Sequence, residues 1–121
     1  FDQFAWSGFP KGIRGKSYFH ISGGFKAMST ATISYKTYVK TFFSDVSLPV
    51  RREYTTMVIR DVKRTFHDHP DFAKMDSPRT CMLVNILYAY HSYDPSFGYC
   101  SGLARLVSLL LLVMSEEHAF W

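Results

Sequence analysis

The chain has 121 residues, a formal charge of +4, two cysteines and 47% hydrophobic residues. That length suits one domain rather than two. Aromatic residues make up 17%, with eleven Phe, eight Tyr and two Trp, which excludes disorder for most of the chain. The longest apolar run, Leu106 to Met114, is interrupted by Ser108 and falls well short of the ~20 residues of a membrane span. Two cysteines make no disulfide scaffold and have no metal-binding spacing. Cys81 and Cys100 are expected to be reduced thiols in a cytosolic protein. Basic residues are scattered, with their densest clusters at Arg51-Arg52 and at Arg60 with Lys63-Arg64. A nucleic-acid binder shows a basic stripe interleaved with aromatics. Here the aromatics fall at core spacing, so no nucleic-acid partner is expected. An acidic protein or an anionic membrane surface suits the charge at least as well.

In chain order, residues 1–15 are punctuated by Gly8, Pro10, Gly12 and Gly15 and read as an irregular lead-in. A short helical stretch is expected from Lys16 to Ile21, ended by Gly23-Gly24. Tyr35, Tyr38, Val39, Phe42, Phe43 and Val46 then repeat at the spacing of one helix face, and Leu48-Pro49 is read as the stop. A third helix is expected from Val50 to about Phe66, with Tyr54, Met57, Val58 and Val62 inward and Asp61 at the edge. His69-Pro70 closes it. Ser77-Pro78 is a clear start signal, an N-cap serine with proline in the first helical position. The helix it opens carries Met82, Leu83, Ile86, Leu87 and Tyr90 on one face and ends at Asp94-Pro95. The last helix is expected from about Tyr99. Leu103, Leu106, Val107, Leu110, Leu111 and Met114 line one face, and Leu109, Leu112 and Val113 the others. A helix apolar all round is buried, so this one is expected at the centre of an all-α fold of about five helices.

Several constellations invite chemistry. His67-Asp68-His69 has no third ligand nearby and reads as a polar loop rather than a metal site. Gly98-Tyr99-Cys100-Ser101-Gly102 has the form of a nucleophile elbow. The residues before it read as a turn, not the strand such an elbow needs. The competing reading is a tight turn into a buried helix, with Cys100 as a small apolar residue. No phosphate loop with a following lysine is present. Asp61 and Arg64 are three apart on a helix and therefore neighbours. They are either a plain surface ion pair or an arginine held by a carboxylate and aimed at a phosphate, a task that suits the guanidinium fork.

Three stretches together resemble the first part of a TBC domain, the GTPase-activating module for Rab-type small GTPases. Gly8-Phe9-Pro10 through Ile13-Arg14-Gly15 to Ile21-Ser22-Gly23 is similar to the family's opening Gly-Ile-Pro, Arg-x-x-x-Trp and Gly pattern, with Tyr18 in place of the Trp. Val58-Ile59-Arg60-Asp61-Val62-Lys63-Arg64-Thr65-Phe66 looks like its Ile-x-x-Asp-x-x-Arg motif, with Val58 for the first Ile. Gly98-Tyr99-Cys100-Ser101-Gly102-Leu103, followed by the leucine run and Glu116-Glu117 with Ala119-Phe120-Trp121, resembles its Gly-Tyr-Cys-Gln-Gly-Met and Glu-Glu-x-Ala-Phe-Trp signatures. The resemblance implies an N-terminal portion of a larger helical domain, residues 1–121, cut at its C-terminal side. It implies a regulator rather than an enzyme in its own right. Arg64 would be an arginine finger, Asp61 would orient it, and Arg14 and Tyr99 would support the site. The glutamine-finger position is Ser101, a side chain too short to reach the attacking water as glutamine does. The resemblance further implies a partner Rab-type GTPase in its GTP-bound state, with GTP and Mg²⁺ belonging to that partner and no cofactor in this chain. It also implies a cytoplasmic protein recruited to endomembranes through that partner, in vesicle trafficking. The alternative it leaves open, because of Ser101, is a module that binds a Rab protein or an adaptor without accelerating hydrolysis.

Overall fold

The computed structural model describes residues 7–121. Residues 1–6 of the expected lead-in lie outside the described residues. Seven helices have their bounds within the described part: α1 Arg14–Ile21, α2 Gly24–Thr30, α3 Tyr35–Ser44, α4 Leu48–Lys63, α5 Pro78–Tyr93, α6 Leu103–Leu111 and α7 Glu116–Phe120. No strand occurs among the described residues. The all-α class is as the sequence implies, with two short helices, α2 and α7, beyond the five expected. Among the described residues no helix is long and apolar enough to cross a membrane.

Local chemistry accounts for most boundaries. Gly23 takes a left-handed φ of 86°, which lets the chain leave α1 and enter α2 within three residues. The pair Gly23-Gly24 is therefore a joint between two helices, not only an end. Any side chain at Gly24 would run into the Phe19 ring, so α2 is pressed close against α1. Ser34, Ser77 and Ser115 cap α3, α5 and α7 by accepting the N–H groups of Thr37, Thr80 and His118 at 3.2, 3.3 and 3.3 Å. Leu48-Pro49, read as the stop of α3, instead opens α4. The earlier helix has already ended at Ser44, and Pro49 sits in the first turn of α4, where its missing N–H costs nothing.

The centre of the fold is α5, not the leucine-rich helix. It packs against α3, α4, α6 and α7 and buries Thr80, Leu83, Ile86, Leu87, Tyr88, Ala89 and His91, residues that run most of the way round it. Full burial of each leucine or isoleucine contributes about 1.5–3 kcal/mol. The Tyr88 ring stacks on Phe42 of α3 with centroids 4.3 Å apart. Tyr54 of α4 donates its buried hydroxyl to the Leu87 carbonyl at 2.8 Å. Burial and the neighbouring Tyr88 hold that phenol's pKa well above its ordinary value. Tyr35 of α3 donates to Glu116 Oε1 at 2.6 Å and ties α7 to the bundle.

In α6 the buried stripe is Ala104, Val107, Ser108 and Leu111, whereas Leu106, Leu109 and Leu112 are 56%, 49% and 38% exposed. The expectation that this helix is central is thus corrected. Small residues at 104 and 108 allow close packing on one side, Ser108 satisfying its hydroxyl on the Ala104 carbonyl at 2.7 Å. The leucines at 106, 109 and 112 form a second stripe that faces outward. The helix also starts four residues later than expected, because Gly102 at φ 94° is its N-cap.

Candidate functional site

The site forms where the end of α4 meets the start of α6. Asp61 lies in the last turn of α4 and is 8% exposed. Its Oδ2 accepts the Tyr99 hydroxyl at 2.5 Å and the Gly102 N–H at 3.0 Å. One carboxylate oxygen thereby holds both ends of the Tyr99–Gly102 turn against α4. Burial and the carboxylate together keep the Tyr99 phenol protonated, its pKa far above the ordinary value. The Tyr99 ring also packs edge-on against Tyr54, 5.7 Å between centroids.

Arg64 is the C-cap of α4; its N–H donates to the Asp61 carbonyl at 3.1 Å, and the Thr65 N–H donates to the Val62 carbonyl at 3.0 Å. The next residue, Thr65, is buried and returns its hydroxyl to the Asp61 carbonyl at 2.8 Å. With Thr65 anchored inward, Arg64 points outward: its side chain is 67% exposed. Its Nη2 stands 3.9 Å from Asp61 Oδ1, the loose edge of an ion pair in water-rich surroundings. The main partners of Asp61 are therefore Tyr99 and Gly102, a clamp that helical spacing alone gives no sign of. The 38 and 41 residues between partners put it beyond local pattern.

A cleft of about 190 Å³ is lined by Met57, Arg60, Asp61, Arg64, Tyr99 and Ser101. The structure thus brings together Arg64, Asp61, Tyr99 and Ser101. Arg60 and Met57, which the sequence places in a basic cluster and on the inward face of the helix, line the cleft as well; their spacing of one helical turn from Arg64 and Asp61 is the signal that assigns them to it. Arg14 is not among the residues lining this cleft. Its Nε donates to the Phe9 carbonyl at 3.0 Å, and it faces a separate cavity of about 750 Å³ with Lys11, Tyr18, Leu109, Leu110, Leu112 and Val113.

Cys100 is exposed, not a buried apolar residue, because it stands in the turn ahead of α6 rather than inside the helix. Cys81 is exposed as well, and both are free thiols. No strand precedes Cys100, so the arrangement a nucleophile elbow requires is missing. No cluster of three or more potential metal ligands occurs among the described residues.

The model of the Rab-GTPase-TBC domain matches residues 11–121. The chain is 30% identical to human small G protein signaling modulator 3 over 115 residues, covering 95% of this chain and 15% of that protein. The rat protein of that name is 29% identical over the same span. Human ecotropic viral integration site 5 protein homolog is 36% identical over 84 residues, 61% of this chain and 10% of that protein. The chain therefore spans a small part of the relatives it matches. No solved structure shows a significant match. With the family's length of match, the helical fold and the motif residues gathered at one cleft, the chain belongs to the Rab-GTPase-TBC domain family.

Proposed function

We propose that this chain is part of a GTPase-activating domain that presents Arg64 in trans to GTP held by a Rab-type small GTPase. The observation that carries the reading is the placement of Arg64: outward and solvent-facing, on a backbone anchored by Thr65, beside a turn clamped by Asp61. Such an arginine can enter a partner's nucleotide site and stabilise charge developing on the transferred phosphoryl group. An arginine supplied this way is worth about 10³–10⁵ in rate. The GTP and its Mg²⁺ belong to the partner, and any attachment to endomembranes comes through it. In this reading residues 1–121 form the N-terminal portion of the domain. The small G protein named in a relative supports the partner class.

Ser101 favours a second reading. It lines the cleft with Arg64, where the family motif has glutamine. Its hydroxyl is two carbons short of a glutamine amide, so the site as built supplies one of two catalytic groups. Arg64 then works with the partner's own glutamine, or the module binds without acceleration. Single-turnover GTP hydrolysis by a panel of Rab proteins separates these. Activation predicts acceleration that Arg64→Ala abolishes and Ser101→Gln increases. Binding to the GTP-loaded form with no acceleration, even in Ser101→Gln, establishes the binding module. No binding and no acceleration across the panel refutes both.

A further inference from the structure

Phe66 is the one non-glycine residue among those described with a positive φ, at 45°. A bulky aromatic residue adopts that region only when its surroundings impose it. Three contacts do so. The Phe66 carbonyl accepts the His69 N–H at 2.8 Å. Its ring lies 6.3 Å from that of the buried Phe72. Over the ring stands the Arg105 guanidinium, its carbon 5.1 Å from the centroid, within cation–π range.

Arg105 sits in the first turn of α6, three residues after Gly102, and forms no ion pair among the described residues. Its place is therefore explained by Phe66, not by a carboxylate. Two bridges now join the segment carrying Arg64 to the segment carrying Ser101. Asp61 holds Tyr99 and Gly102 three residues before Arg64. Phe66 holds Arg105 two residues after it. A chain tethered on one side of a residue can hinge there; tethered on both sides it cannot.

We propose that Arg105 is a positioning residue for Arg64: by capping the ring of Phe66, whose backbone is strained, it holds the turn that aims the finger at the cleft. The inference rests on the reading of Arg64 given above, but its first readout does not need a GTPase. Trypsin cleaves after Arg64 only when that turn opens, and cleavage tracks the open population. In the full chain, with products identified by mass spectrometry, Arg105→Ala and Phe66→Leu are each expected to speed cleavage after Arg64 about two- to fivefold, the strength of an exposed cation–π contact. Arg105→Lys, which keeps a cation over the ring, restores the native rate. The double variant opens the turn no further than either single one. Cleavage after Lys74 serves as reference and stays unchanged, which general loosening of the fold would not allow. With an accelerated GTPase, kcat falls by the same factor at constant KM. Unchanged cleavage after Arg64 in Arg105→Ala overturns the proposal, as does a rise shared by all sites. Selective opening of the turn with no GTPase accelerated leaves the positioning role intact and refutes the activating one. A change in KM alone, with cleavage unchanged, makes Arg105 a partner contact instead.

Discussion

Replacing Asp61 with alanine tests the central claim about the site, that this carboxylate is first a clamp for the Tyr99–Gly102 turn. Its Oδ2 receives two hydrogen bonds, from Tyr99 and Gly102, at 2.5 and 3.0 Å. A bond to a charged acceptor contributes about 1.5–3 kcal/mol. The two are not additive, and the exposed Gly102 can turn its amide to water, so the loss should be about 2–3 kcal/mol. The Arg64 pair adds little: at 3.9 Å, with Arg64 67% exposed, it belongs to the class worth about 0–1 kcal/mol. Arg64→Ala should therefore leave stability nearly unchanged, while Asp61→Ala removes a large share of a typical domain's 5–15 kcal/mol or so. With a urea slope of about 2 kcal/mol per molar, the unfolding midpoint of Asp61→Ala should fall by about 1 M or more. Tyr99→Phe, which removes one donor, should fall by roughly half as much. Equal midpoints for Asp61→Ala and Arg64→Ala would refute the clamp and return Asp61 to a simple partner of the arginine.

The two glycine positions separate crowding from backbone strain. A side chain at Gly15 would meet the Val113 carbonyl, so Gly15→Ala must push α1 away from the end of α6 and should cost about 1–3 kcal/mol in thermal unfolding. Nothing stands near Gly102 where a methyl would go, and its φ is 94°. Gly102→Ala should therefore cost about 1–2 kcal/mol, through conformation alone. His91 supplies a pH test. It is 8% exposed, its Nδ1 has no partner, and its ring lies against Tyr54 with centroids 4.4 Å apart. Burial lowers its pKa below the ordinary 6.5. The unfolded chain then takes up the proton first, so His91 favours the fold fully above that value and progressively less as pH falls through it. His91→Phe should flatten the stability profile as pH falls below the ordinary histidine value of about 6.5; an unaltered slope would remove His91 as its source.

Features with a local cause were legible in the sequence. Ser77-Pro78 marks α5 because cap and proline act within one turn, and the periodicity from Tyr35 to Phe42 marks α3 because burial there is one-sided, while Phe43, expected on the same face, is 53% exposed. Arg64 and Ser101 were legible as motif positions. What failed needed the third dimension. An apolar helix carries no record of which stripe is covered, so the leucines of α6 read as central while Leu106 and Leu109 face outward. Residues Gly24–Thr30 have poor helix formers at their start and end, and their helix packs on Phe19, through the close approach of Gly24 and the edge-on Phe25 ring. Pro49 fits both the end of one helix and the opening of the next, and only the Ser47 cap position decides. Arg14 reads as one of the site residues from motif order, yet its cavity is shared with the end of α6.

The bond from the Gly102 amide to Asp61 makes one exchangeable proton a gauge of the whole cleft. That proton is held by a residue 41 positions away with α5 folded in between. It can trade with solvent deuterium only when its bond to Asp61 opens. Its exchange rate therefore counts how often the turn carrying Ser101 comes off the end of α4, in an otherwise folded molecule and with no nucleotide present.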